Sequence, residues 1–388
     1  MKIVDIQPWV IEQELENPFY FSQWHYASRK ICLVKVTLED GTYGWGEGYG
    51  PADVIKAGIE FFKPHILGQH ALETETIWQI MYLRSLDFGR SGIFQAAVAA
   101  IDVALWDVKG KVLNQPVSVL LGGVKNPVIQ PYATGFYFTD APTMEDDFIK
   151  EAELYKQQGF KAAKMKVGLG LEKDVYWVNF LSKALGEDVR LMIDANHGYN
   201  YREAYELCRQ IEHLNIGWFE EPVSPDDYNG YKRLRENTSI PIAGGECEYL
   251  RHGFRRLFEN DCVDIAQPDI CATGGLTEVK RIATLAQAYH KDIVPHSWGT
   301  WIAISAAVHL VGNLDQNPGR MNREYPMIEL DRTENPLRDD VVNHSLKFDN
   351  GFIPVPDAPG LGVDVNQEFL EKYASNNTTI SGEFEVRA

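Results

Sequence analysis

Residues 161–168 read KAAKMKVG, a short apolar run that carries two lysines, Lys164 and Lys166, with one methionine between them. On a β-strand alternate residues share a face, so the two ammoniums stand side by side, about 7 Å apart. At an effective dielectric near 20 they repel by roughly 2 kcal/mol. The face is therefore either solvated or opposed by something negative. The same texture recurs outward along the chain: IQPYATG at 129–135, VRLMIDANHG at 189–198, IGWFEEP at 216–222, IPIAGGE at 240–246, VDIAQPD at 263–269, KDIVPHSWGT at 291–300 and MNREYPMIEL at 321–330. Amphipathic helical patterns such as YREAYELCRQIEHL (201–214) and LTEVKRIATLAQAYH (276–290) lie between them. Eight such βα units predict an α/β fold of the (β/α)8 TIM-type barrel class over residues 126–345. A doubly wound sheet is disfavoured, because no G-x-G-x-x-G follows a first strand.

The flanks differ from this rhythm. Residues 1–125 begin with strand patterns joined by an Asp40-Gly41 turn. They continue into an alanine-rich helical stripe, SGIFQAAVAAIDVALWDVKGKVL, at 91–113. This predicts an N-terminal α+β capping domain. Asn17–Arg29, aromatic and polar without a period, reads as a loop or irregular connection. The turn-rich segment from Leu346, within 346–388, is expected to leave the barrel and pack back on the cap.

The formal net charge of −18 argues against nucleic acid or an anionic membrane as a partner, since phosphate binding needs a basic surface. Five scattered cysteines with no C-x-x-C point to reduced thiols in a cytoplasmic protein rather than a disulfide framework. The start of the chain, MKIVDIQPWVIEQELE, is strand-like and turns acidic, unlike a signal peptide. The apolar run Trp301–Leu314 carries His309 and is too short to span a bilayer.

One ionisable residue closes each strand-like run: Lys164 and Lys166, Asp194, Glu220, Glu246, Asp269, His296 and Glu324. From Asp194 onward the gaps are 26, 26, 23, 27 and 28 residues, one βα unit each, which delivers them to the end of the barrel where such enzymes hold their chemistry. Asp194, Glu220 and Glu246 would repel one another unless a cation joins them. An all-oxygen ligand set favours Mg²⁺. Period-2 alternation points Glu221 away from that set. Asp269 and His296 end neighbouring strands, as an orienting carboxylate and a base would. Together these groups suit abstraction of a proton α to a carboxylate, with Lys166 as base and Lys164 and Glu324 stabilising the enediolate. Repulsion from Lys164 favours the free amine that Lys166 needs. Bases on opposite faces allow racemisation or elimination of a β-oxygen protonated by His296.

The K-x-K at 164–166, DAN at 194–196, FEEP at 219–222, GGE at 244–246, QPD with GG across 267–275 and PHSWGT at 295–300 together resemble the enolase superfamily, mandelate racemase subgroup. The resemblance implies Asp194, Glu220 and Glu246 as Mg²⁺ ligands, Lys166 and His296 as the acid/base pair, and Asp269 as support for His296. It implies Asn196 as a substrate contact, and for His197 either a substrate hydroxyl or a supporting position. Within the subgroup the phrases LMIDANHGY, WFEEPV and VPHSWGT look most like galactarolactone cycloisomerases and acid-sugar dehydratases. The substrate implied is a sugar acid or lactone yielding a 2-keto-3-deoxy acid, with a 2-hydroxy-acid racemase or epimerase as the alternative. Family members commonly form dimers or octamers, so a homo-oligomer is expected. Specificity in this family comes from cap loops. Tyr20, Trp24, His25 and Tyr26 are thus candidates to close over the substrate or to pack cap on barrel, and Arg29 to meet the distal carboxylate of a diacid.

Overall fold

A computed structural model describes residues 1–140, 144–315, 321 and 324–374. The chain opens with an antiparallel sheet of β1 (Ile3–Phe21), β2 (Trp24–Leu38) and β3 (Tyr43–Gly48), in the order β1-β2-β3. The turn after β2 is the expected one: Gly41 sits at φ +86° and its N–H donates to the Leu38 carbonyl. Residues 17–29 differ from expectation. They are not a loop but the far end of the β1–β2 hairpin, with Phe19 opposite Tyr26 and Phe21 opposite Trp24. A register shift between Glu14 and Phe19 breaks the alternation at the point where the sequence loses its period.

Helices Ala52–Ile66 and Ile93–Leu113 cover this sheet, and Thr74–Ser85 packs on those two helices. Helix Ile93–Leu113 packs flush on β3 because both surfaces are small. A Cβ on Gly46 would stand 2.0 Å from the Ala100 carbonyl oxygen, and one on Gly44 2.2 Å from that of Ala104. The alanine stripe is thus a contact surface for backbone, not only an apolar face.

Eight strands then build the barrel: β4 (Val128–Thr134), β5 (Ala162–Lys166), β6 (Arg190–Asp194), β7 (Phe219–Glu220), β8 (Ile242–Gly244), β9 (Ile265–Ala266), β10 (Asp292–Ile293) and β11 (Met327–Asp331). They are parallel and run β10-β9-β8-β7-β6-β5-β4-β11. Between β10 and β11 a side chain makes the link: the Ser297 N–H donates to Glu329 Oε2 at 3.0 Å. Inside the barrel Tyr132, Ala162, Met192, Trp218, Ala243 and Val294 form one apolar layer. Met165 belongs instead to the cluster between strands and helices, so Lys164 and Lys166 point inward. The register pairs Lys166 with Asp194 and Asp194 with Glu220, which sets consecutive strand ends at one level.

After β11 the chain returns beneath the barrel. β12 (Ile353–Pro354) pairs antiparallel with the start of β4. The tail then reaches the cap: Leu361 N–H donates to Asp107 at 2.9 Å, and Ala374 bridges to Ile11. The rest of the expected C-terminal segment, 375–388, lies outside the described residues. Among the described residues no helix is long and apolar enough to cross a membrane.

Candidate active site

The polar residues lie at or just beyond the C-terminal ends of the short strands β5 to β10. Asp194, Glu220 and Glu246 are delivered by three adjacent strand ends. One carboxylate oxygen from each lies within 4.8 Å of the other two, so the trio could hold a metal ion. Glu220 is fixed from behind, its Oε2 accepting from Trp218 Nε1 (2.9 Å) and Gln267 Nε2 (2.6 Å). Burial, together with the negative charge of Asp194 and Glu329, pushes the Glu220 carboxyl up to about 7 despite the ammonium of Lys164. Burial and the neighbouring Glu221 push Glu246 up to about 8. Carboxylates held this close and dry suit a hard divalent cation, whose charge offsets their repulsion.

Both lysines are buried and paired. Lys164 Nζ lies 2.5 Å from Glu220 Oε1, 3.1 Å from Glu329 Oε1 and 3.4 Å from Asp194 Oδ2. Lys166 Nζ lies 2.6 Å from Asp194 Oδ2 and 2.8 Å from Asn196 Oδ1. The repulsion anticipated between the two ammoniums is therefore met by carboxylates on both. Asp194 illustrates the balance: burial would raise its carboxyl, but Lys166 and Lys164 together hold it well below the usual range.

His296 stands across the acidic trio from Lys166. Its Nδ1 lies 2.6 Å from Asp269 Oδ2, and its Nε2 is 3.5 Å from Glu246 and 3.7 Å from Glu329. Asp269 is itself held by the Cys271 N–H at 2.6 Å. Burial alone would lower the imidazole. Glu246 and Glu329, with Asp269, overcome that and raise it to about 10.

Glu324 is a correction. It is exposed and precedes β11, whereas Glu329, within the strand, enters the site. Its Oε1 accepts from Thr134 Oγ1 at 2.5 Å and its Oε2 from the Ser297 N–H. Burial would raise its carboxyl, but Lys164 and His296 bring it down to about 2. The last βα unit is longer than the others, so phase counting stopped five residues short. The available signal was a lone acid between Ile328 and Leu330 in a strand pattern, the mark of a buried carboxylate.

The hairpin residues also sort differently from expectation. Arg29 is buried and already engaged: its guanidinium lies 2.7 Å from Asp331, hydrogen-bonds Thr333 and stacks 3.6 Å above Trp298. It is not placed to meet a distal substrate carboxylate. Tyr20 faces away from the site and packs half-buried on Phe138 of the barrel, the cap-on-barrel role expected as its alternative, and Trp24 and His25 are exposed at the tip. Alternation instead sends Phe19 and Phe21 inward, where they join Tyr26, Tyr137 and Trp298. This wall reaches the charged groups: Lys166 Nζ is 4.6 Å from the Phe21 ring centroid, Tyr26 is 4.9 Å from Trp298, and Tyr49 is 5.0 Å from His296. The hairpin tip is tied down by Gln23, whose Nε2 donates to the Asn196 carbonyl at 2.7 Å. His197 turns away from the trio, its Nε2 3.0 Å from Glu221 and its Nδ1 3.2 Å from the Val223 carbonyl.

Comparison with known proteins places the fold in a family. Residues 6–122 match the N-terminal domain model of mandelate racemase / muconate lactonizing enzyme, and residues 147–369 match the enolase C-terminal domain-like model. D-galactarolactone cycloisomerase of Agrobacterium fabrum is 39% identical over 96% of this chain and 99% of its own. Arabinonate dehydratase of Saccharolobus solfataricus is 35% identical over 89% of this chain and 90% of its own. The crystal structure of the 3,6-anhydro-D-galactonate cycloisomerase from Zobellia galactanivorans superimposes with a TM-score of 0.89. It is 62% identical, covering 97% of this chain and all of that one.

Proposed function

This chain belongs to the mandelate racemase / muconate lactonizing enzyme family of the enolase superfamily, and from that premise we propose that it opens the ether ring of a 3,6-anhydro sugar acid. Relatives named as cycloisomerases and sugar-acid dehydratases support a lyase or isomerase acting on such an acid. The observation that carries the finer reading is the 62% identity to the 3,6-anhydro-D-galactonate cycloisomerase, and Lys166 and His296 at opposite ends of the acidic trio offer the base and acid that such a ring opening needs. The aromatic wall beside them gives the C–H faces of a compact ring an apolar surface.

Asp194, Glu220 and Glu246 would hold Mg²⁺. When bound, the ion supplies electrophilic stabilisation to the substrate carboxylate as its α-carbon gives up a proton. Lys166 Nζ removes the C2 proton, and Lys164, braced by Glu329, stands where the enediolate charge grows. The electron pair forms C2=C3 as the C3–O bond breaks. His296, held at Nδ1 by Asp269, donates the Nε2 proton to the departing oxygen. In a 3,6-anhydro acid that oxygen stays bonded to C6, so composition is unchanged and the step is an isomerisation. Protonation of the enol at C3 then gives the 2-keto-3-deoxy acid.

The test incubates purified enzyme with Mg²⁺ and 3,6-anhydro-D-galactonate and follows 2-keto acid formation. Turnover abolished by EDTA and restored by Mg²⁺ is the expected result. Failure to open the ring, alongside water loss from open-chain aldonates, would replace this reading with that of a dehydratase.

A further inference from the structure

Behind the acidic trio, on the reverse side of the same strand ends, the next residues along the chain form a second cluster. His197 follows β6, Glu221 follows Glu220 and Cys247 follows Glu246. One ligand atom from each lies within 4.8 Å of the other two. The two loops that carry His197 and Glu221 are locked together, the His197 N–H donating to the Glu221 carbonyl at 2.8 Å.

We propose that His197 Nε2, a Glu221 carboxylate oxygen and Cys247 Sγ form a second metal site, for a borderline-soft divalent cation such as Zn²⁺. Three observations support it. The ring is set as metal-ligating histidines are, with Nδ1 facing the Val223 carbonyl at 3.2 Å and Nε2 left to point at the cluster. Glu221 is 1% exposed, and its Oε2, 3.0 Å from His197 Nε2, accepts no well-aligned hydrogen bond. The Glu221 carboxylate faces the other two members of the cluster, His197 and Cys247, and not solvent. The separations also fit. Bonds of roughly 2.3 Å to sulfur and 2.0–2.1 Å to nitrogen at a tetrahedral angle put the two atoms about 3.5 Å apart, and Cys247 Sγ lies 3.5 Å from His197 Nε2.

The ligand chemistry separates this site from its neighbour. Three carboxylates select a hard ion, whereas imidazole, carboxylate and thiolate select zinc or cobalt. The thiol proton is released to solvent on binding. Cys247 is solvent-accessible and the other four cysteines are buried, so the cluster can be loaded and read without interference from them. Three protein ligands leave a fourth position for water.

The test uses the full-length protein in excess Mg²⁺, titrated with Co²⁺ under reducing, oxygen-free conditions. One equivalent should bind with a thiolate-to-cobalt charge-transfer band in the near ultraviolet. Cys247→Ser should abolish that band and His197→Gln should weaken binding, while Asp194→Asn, in the acidic trio, should leave the band in place. Equilibrium dialysis against Zn²⁺ should retain one equivalent that Mg²⁺ does not displace. A wild-type protein with no thiolate band, or a band that survives Cys247→Ser, would overturn the assignment and leave a His197–Glu221 ion pair beside a thiol.

Discussion

At the scale of single residues the proposed chemistry turns on Lys166 and Glu329. Lys166→Ala removes the proposed base and should lower kcat by roughly 10²–10⁴-fold. The far-ultraviolet circular dichroism should stay unchanged. Glu329 braces Lys164 at 3.1 Å while accepting from Thr134 and Ser297. Glu329→Gln should cost about 10²-fold in kcat, as when one donor to a developing oxyanion is misplaced. Glu324→Gln, exposed and outside the strand, should match the wild type in kcat. Equal loss in the two variants would mean that the wrong acid has been placed beside Lys164. Trp298 offers a subtler case. Its Nε1 is buried without a hydrogen-bond partner, so Trp298→Phe, which keeps an aromatic ring and loses the N–H, should raise KM more than it lowers kcat if that donor meets a substrate oxygen.

At the scale of elements, the contact between β3 and helix Ile93–Leu113 makes a sharp prediction. Gly46→Ala forces a methyl to 2.0 Å from the Ala100 carbonyl oxygen. It should destabilise the protein by about 1–3 kcal/mol, seen as an earlier thermal transition. The barrel itself was legible because most strands are a short apolar run ending in an ionisable residue, and the five intervals from Lys166 to His296 keep nearly equal length, 28, 26, 26, 23 and 27 residues. The acidic trio, Lys166 and the Asp269–His296 pair are brought together where that phase placed them. The hairpin was not legible, because a bulge between Glu14 and Phe19 hides the alternation that sends Phe19 and Phe21 inward and Tyr20 onto Phe138. Arg29 misled for another reason. Its partners, Asp331 and Thr333, lie some 300 residues away in sequence, and pairing at that distance leaves no local pattern.

At the scale of the molecule, the cap and barrel meet through buried acids. Glu47 accepts from Thr300 N–H and Oγ1, and Asp102 from Thr277 N–H and Oγ1. Burial, opposed by those hydrogen bonds, raises both carboxyls to about 7. The folded state therefore holds these protons more tightly than the unfolded chain does. Their contribution to stability is full below the unfolded values near 4, and it is lost as pH rises towards 7. For Glu47 the loss is on the order of 3 kcal/mol. Glu47→Gln cannot ionise, so its melting temperature should gain on that of the wild type between pH 4.5 and 7. Parallel curves would contradict this. The central claim concerns what the joined halves do to a substrate: the hairpin of the cap closes an aromatic wall over a proton-transfer pair in the barrel. Its most direct test is nuclear magnetic resonance of 3,6-anhydro-D-galactonate turned over with Mg²⁺ in D₂O. The account predicts a 2-keto-3-deoxy acid carrying one solvent deuterium at C3, absent with Lys166→Ala. Deuterium at C2 of a substrate whose ring stays closed would contradict it and make the enzyme a racemase.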